Sequence, residues 1–388
     1  FEERLGTMEN LGDSDRQAFL RSAEEEINGT VLPALSALLA YFEGIQPVTT
    51  DVAGLWKLPN GKEYYAYLLR SLTSTDLSPQ EVHELGLAEV ARIQQEMQRE
   101  ADRLGYPSDL GIDQLMARVR EDGGYHDTSS QAGKEQLLEA IEVLLDEVDQ
   151  KLDPAFDIHP QSEVIVVGDP GFGGGGYYVP GTMDGSRPGA FHTGVGGSWV
   201  PKFNLPTIVY HEAIPGHHFQ IAIAQEADLP TFRTDVFFNG YGEGWALYAE
   251  RLAWELGLYE EDPHGNLGRL HLELLRAVRL VADTGIHHLG WTREEAKDYM
   301  AGAMGDWTHE VDRYIVMPAQ ATGYKIGMLK ILELRQRAMD ELRDQFDLKE
   351  FHNVVLKSGS MPLEILEEVV QRYIDAKLGR TSTTAVPA

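Results

Sequence analysis

His211-Glu-Ala-Ile-Pro-Gly-His-His218 is the stretch on which the reading of the chain turns. It nearly matches the zinc-peptidase signature H-E-x-x-H. In that signature two histidines at i and i+4 share one helical face and hold the metal, and the adjacent glutamate activates water. Here His211 and His217 are six apart. A regular helix would separate them by about 9 Å of rise, too far for one ion with bonds of about 2 Å. Pro215-Gly216 supplies a remedy. Proline cannot hydrogen-bond inside a helix and glycine permits unusual dihedrals, so the pair predicts a two-residue excursion that brings the second histidine back. Geometry alone leaves His217 and His218 both open. Gly216 frees the backbone just before 217, which favours His217 as the ligand and leaves His218 facing the substrate or supporting the ligands from behind.

A third ligand is expected to be a carboxylate on a neighbouring helix. Glu243 and Glu250 are seven apart and share a helical face. Glu243 stands between Gly242 and Gly244, where the backbone can approach another helix closely. Glu250 has an ordinary helical setting and is expected to be salt-bridged or to support a ligand. Two histidines and one carboxylate leave a fourth position open, as in catalytic zinc sites. Glu212 would then act as general base, taking the proton from water and handing it to the leaving amine.

Composition narrows the alternatives. There is no cysteine, so disulfides, thiolate metal sites and cysteine nucleophiles are excluded. Acidic residues number 62 against 33 Lys plus Arg, a formal net charge of -29, which makes nucleic acid and anionic membranes poor partners. No apolar run approaches the ~18 residues of a transmembrane helix, and no signal peptide is visible. The expectation is therefore a cytoplasmic chain with no membrane and no nucleic acid among its partners. Oligomeric state is not legible.

Periodicity predicts helices over about 14–43, 79–104 and 132–150. Ser78-Pro79-Gln80-Glu81 is a strong helix start. A β-branched run at 163–167, glycine-rich 171–176 and Ala190–Val195 predict one small antiparallel sheet over 162–197. The glycine cluster lacks the Gly-Lys-Ser/Thr ending of a P-loop and is expected to be a turning loop. Helix follows to 378, with breaks near 230–241, 259–266, 290 and 357–362. The expectation is one mainly α domain over 1–388, with the metal site and cleft within 205–340 and a flexible tail at 381–388.

Long motifs carry a resemblance: Asp184–Gly189, His211–Gln220, Glu243–Glu250, Arg279–His287 and Arg313–Lys325. Over about residues 50–378 the chain resembles the bacterial family filed as domain of unknown function 885. That family is similar to helical zinc metallopeptidases such as angiotensin-converting enzyme, thimet oligopeptidase and HExxH carboxypeptidases. The resemblance implies a helical cleft with the metal at its floor and a short sheet along one wall.

The remaining candidates fit such a cleft. Arg279 and Asp283, four apart, are expected to pair with each other. His287, four beyond Asp283, is a candidate oxyanion donor oriented by it, or a packed histidine. Tyr324 is the first choice as oxyanion donor and Tyr314 the second. Arg313 and Lys325 are candidates for holding a peptide carboxylate, and Arg187 and His218 for contacting substrate. The strand near Ala190–Thr193 could pair with an extended peptide. The expected function is a metallopeptidase with one zinc ion per chain, acting on short peptides, carboxypeptidase- or dipeptidase-like. The alternatives are a metal-dependent amidase on a non-peptide amide, or a non-catalytic binding protein that keeps the fold.

Overall fold

The computed structural model describes residues 1–380 apart from Thr7, Glu9 and Asp306, and leaves the side chains of Glu3 and Arg4 undescribed. The flexible tail expected at 381–388 lies outside the described residues. Internal contacts group the chain into two compact units, Phe1–Val52 and Ala53–Ala388. Every expected site residue lies in the second.

The first unit holds α1 (Glu2–Gly6), α2 (Asp13–Glu26) and α3 (Leu32–Ile45), with a π-helical turn at Ile27–Val31 and a 3-10 turn at Gln46–Val48. From Asp13 to Val48 this is 36 residues of helix, with no buried residue in α2 or α3. Leu35, Leu38, Leu39 and Phe42 are all exposed. An apolar helix that faces water all round has no core to explain it. Its length and composition suffice to cross a membrane, and it is the one such helix among the described residues. The expectation that no segment reaches that length is therefore corrected. Gly29, Thr30 and Ser36 interrupt the apolar run without lowering its average enough to matter.

The second unit is mainly α-helical. It runs through α4 (Gly61–Thr73), α5 (Pro79–Arg103), α6 (Ile112–Gly123), β1 (Tyr125–Asp127) and α7 (Gln131–Asp149). Strands β2 (Val164–Asp169), β3 (Gly176–Val179), β4 (Gly189–Gly194) and β5 (Trp199–Pro201) follow. Then come α8 (Leu205–Glu212), α9 (His217–Glu226), α10 (Phe232–Asp235), α11 (Asn239–Glu255) and α12 (Pro263–Thr284). The chain closes with α13 (Arg293–Met304), α14 (Glu310–Val316), α15 (Gly323–Leu342), α16 (Leu348–Lys357) and α17 (Leu363–Lys377). The start of α5 is the expected one: the Ser78 hydroxyl accepts from the Glu81 amide while the Glu81 carboxylate accepts from the Ser78 amide.

The sheet differs from expectation. Strand order is β2-β4-β3, with β2 parallel and β3 antiparallel to β4, and β1 and β5 form a separate antiparallel pair. The 162–197 sheet is thus mixed. A run of β-branched residues marks a strand but says nothing of which neighbour it takes, and here β4 inserts between β2 and β3. Both sides of β4 are occupied, so Ala190–Thr193 has no free edge to offer a peptide.

Packing of α11 positions the site. A Cβ on Gly244 would lie 2.5 Å from the Gly327 Cα of α15, and a Cβ on Gly327 would collide with the Gly240 carbonyl. The two helix backbones therefore touch, and only glycine fits between them. We expect Gly244→Ala to cost about 1–3 kcal/mol by overpacking. Urea unfolding should show that loss as a lower midpoint at unchanged slope. An unchanged midpoint would mean the helices can part freely.

Candidate metal centre

Helix α8 ends at Glu212 and α9 begins at His217. Between them the Ile214–Pro215 peptide is cis, and Ala213 and Gly216 take non-helical dihedrals. A side chain at Gly216 would strike the carbonyl oxygens of Tyr210 and His211. Glycine is needed here for close approach, not for a left-handed backbone. The break is pinned from the far side by Trp245 of α11, whose Nε1–H donates to the Pro215 carbonyl at 2.9 Å. The excursion thus spans residues 213–216 and resets the second histidine at the first position of a new helix.

The result is a cluster of His211, His217 and Glu243, whose ligand atoms all lie within 4.8 Å of one another. Glu243 Oε2 stands 3.6 Å from His211 Nε2 and 3.3 Å from His217 Nε2. Despite those distances Glu243 Oε2 is buried without a hydrogen-bond partner. An unmet carboxylate oxygen set between two imidazole nitrogens suits a cation. Ligands at ~2.0–2.1 Å in a tetrahedral zinc site sit about 3.3 Å apart, close to the carboxylate–histidine spacings here. The cluster could therefore hold a metal ion.

Helix α11 grips the His211 ring at both nitrogens. Glu243 faces Nε2, and Glu250, two turns on, accepts from Nδ1–H at 2.7 Å. A carboxylate behind a ligand histidine fixes its tautomer and raises its basicity. Burial alone would lower the His211 pKa, but Glu243 and Glu250 outweigh it and push it up to about 9 in the metal-free protein. Burial would raise Glu243, but the two histidines hold it well below the usual carboxylate range. Glu212 goes the other way: burial raises it, with Glu243 adding and His211, His217 and Arg276 opposing.

A cavity of about 420 Å³ opens beside the cluster. His211, Glu212 and Glu250 form one wall, Arg276 and Arg279 of α12 another, and Phe172 with Gly174–Gly176 a third. Tyr324 borders the cluster: its ring lies 6.3 Å from that of His211 and nearly parallel to it. Burial raises its pKa, so the phenol keeps its proton at neutral pH.

Other expected residues stand elsewhere. His218 bonds Tyr178 and the Ser162 carbonyl, tying α9 to the sheet. His287 accepts from the Leu55 amide at Nδ1 and donates from Nε2 to the Tyr314 carbonyl, and burial lowers its pKa to about 4. Both its nitrogens are thus spent on backbone. Lys325, fully buried, pairs with Glu273 and Glu89 and joins α15 to α12 and α5. Arg187 is exposed and holds its own turn through the Pro180 carbonyl. Arg313 bonds Gln320, and the Tyr314 hydroxyl donates to Glu310.

The expected Arg279–Asp283 pair is not formed. Arg279 pairs with Glu310 at 2.8 Å, and Asp283 accepts from the Tyr65 hydroxyl and the Ala319 amide. Burial pushes the Asp283 carboxyl up to about 7. Arg276, Trp307, His309 and Glu310 also line the cavity, and sequence reasoning misses them there. The signal that could find the first is the three-residue spacing of Arg276 and Arg279, which sets both on one helical face.

In comparisons with solved structures, the chain is similar to a protein of Colwellia psychrerythraea described as a "putative lipoprotein". The two are 39% identical with a TM-score of 0.89, over 97% of this chain and 66% of that one. It is also similar to a Shewanella oneidensis protein described as a "putative lipoprotein of unknown function", at 19% identity and TM-score 0.70, over 95% of this chain and 69% of that one. At that lower identity the likeness speaks to fold alone. The chain thus spans about two thirds of the length of each. No curated protein matches it. The description of the first relative and the exposed apolar helix Asp13–Val48 overturn the expectation of a cytoplasmic chain with no membrane among its partners. The profile of one family covers residues 2–370, and the chain belongs to that family, the bacterial proteins of unknown function DUF885.

Proposed function

We propose that the protein is a metal-dependent hydrolase of small amides, peptide or non-peptide. The observation that carries this reading is Glu212, adjacent in sequence to the ligand His211 and exposed to the cavity beside the cluster. A divalent cation at the cluster would supply Lewis acidity, polarising the amide carbonyl and acidifying water. Zinc suits two histidines and one carboxylate. Glu212 takes the proton of the attacking water and returns it to the leaving nitrogen. Its raised pKa brings it nearer the pH at which it works. Tyr324 is the donor that stabilises the developing oxyanion. Short peptides with carboxypeptidase- or dipeptidase-like cleavage are one substrate class, and non-peptide amides the other. The cluster alone also supports a coarser reading, a metal-binding protein without turnover, and Glu212 separates the two. The relative's description and the 36-residue helix support association of this chain with a lipid surface through Asp13–Val48.

Three outcomes follow. Because His211 has a folded pKa raised to about 9, the metal-free protein carries its proton at pH 7, and that proton must leave when zinc binds. Apparent zinc affinity should rise by up to about tenfold per pH unit from neutrality toward the His211 pKa. Calorimetry in buffers of different ionisation heat should show proton release, and its absence would argue against a protonated His211. The same sign makes that proton stabilise the metal-free fold below the unfolded pKa of 6.5, a contribution lost as pH rises through about 9.

Glu212→Gln should keep one zinc per chain by elemental analysis while turnover of a mixed peptide and amide library falls by about 10² or more. Wild-type protein with full zinc and no turnover of any library member would leave the binding-protein reading. Leu35→Glu combined with Leu39→Glu should abolish sedimentation of the chain with phospholipid vesicles. Equal sedimentation of that variant and wild type would remove the helix as the contact.

A further inference from the structure

Arg276 and Arg279 lie three apart on α12 and face the cavity together with Leu272 and Leu275. One edge of each guanidinium is committed. Arg276 donates to the Leu272 carbonyl at 3.0 Å and, at a long 3.4 Å, to the Glu250 oxygen that already accepts from His211. Arg279 donates to Glu310 and lies 4.9 Å over the Tyr324 ring. The other edge is not committed: both Nε–H groups are buried with no hydrogen-bond partner. The Arg279 side chain is only 7% exposed. An unmet buried donor is costly, the more so when it is charged. Two such donors, on adjacent guanidinium groups in one cavity wall, make a fork suited to a carboxylate.

We propose that Arg276 and Arg279 form a carboxylate-binding subsite, so that the substrate carries a free carboxylate one or two residues from the amide placed at the His211–His217–Glu243 cluster. The inference rests on the hydrolase reading of that cluster. Tyr324 links the two places: its ring lies 6.3 Å from that of His211 and 4.9 Å from the Arg279 guanidinium carbon. Arg276 shares the acceptor Glu250 Oε1 with His211, and an extended residue spans about 3.5 Å, so one or two residues suffice to reach from one place to the other. Of the carboxylates lining the cavity, Glu212 repels an anion, whereas Glu250 and Glu310 each meet one edge of Arg276 and Arg279 and leave the two Nε edges as the favourable place. The cations expected from sequence in this role are otherwise engaged, Lys325 with Glu273 and Glu89 and Arg313 with Gln320.

The test uses the full chain carrying Glu212→Gln, loaded with zinc, and two probes, N-acetyl-alanyl-alanine and its C-terminal amide. Calorimetry should find the free acid bound at least about tenfold tighter than the amide, a gap of about 1.4 kcal/mol. Arg279→Gln and Arg276→Gln should each bring the acid down to the affinity of the amide with zinc still bound. Equal affinity for acid and amide with both arginines intact would overturn the subsite, as would no acid binding at millimolar concentration. If Arg279→Gln does not fold, Arg276→Gln and the acid–amide comparison still decide. Failure of the hydrolase reading looks different: the acid–amide gap persists in binding while wild-type protein turns over no amide.

Discussion

Three carboxylates, Glu212, Glu243 and Glu250, crowd around one imidazole, and the rest of the second unit is arranged to make that tolerable. An isolated buried carboxylate is expensive and ordinarily neutralises. Here His211 compensates two of them at its two nitrogens, and Arg276 reaches Glu250 from α12. Breaking one partner of such a set is far worse than never having built it. The bends that deliver the histidines are therefore fixed with unusual thoroughness. Gly216 abuts the carbonyls before it, and Trp245 holds the Pro215 carbonyl from α11, the helix that also carries both outer carboxylates.

Locally determined features are legible in the amino-acid sequence. The histidine spacing with Pro215-Gly216 points to a helix break, and the Gly-Glu-Gly of 242–244 to a carboxylate on a closely packed helix. Both are matters of a few consecutive residues. The Glu243–Glu250 interval places one carboxylate on the metal side and one behind His211, because seven residues are two turns. The mainly helical class with a small sheet is legible from periodicity for the same reason.

Whatever depends on tertiary partners is not legible. The four-residue interval between Arg279 and Asp283 is as good a local pairing as any, yet Glu310 and Ala319, far along the chain, win both groups. The parallel pairing of β2 with β4 stays hidden because strand order is not written in composition. Histidine and lysine are residue types that can carry chemistry, but here His287 bonds backbone at both nitrogens and Lys325 neutralises Glu273 and Glu89. The apolar stretch within Asp13–Val48 is masked by the charged Asp13–Glu26 ahead of it and by the polar residues scattered after it.

Tyr324 and Lys325 are neighbours on α15 with opposite surroundings. The Tyr324 ring lies against that of His211, while the ammonium is buried among Glu89 and Glu273, with Arg92 and Arg269 beyond. Dissolved ions screen exposed pairs over about a Debye length but reach buried ones poorly. The lysine therefore stakes the tyrosine in position by a charge web whose buried Lys325–Glu273 pair salt loosens little. A chain with so large a surplus of negative charge feels ionic strength strongly at its surface. The buried cluster of His211, His217 and Glu243 is less exposed to that, so changes in the salt around the protein alter what approaches the cavity more than the alignment of groups within it.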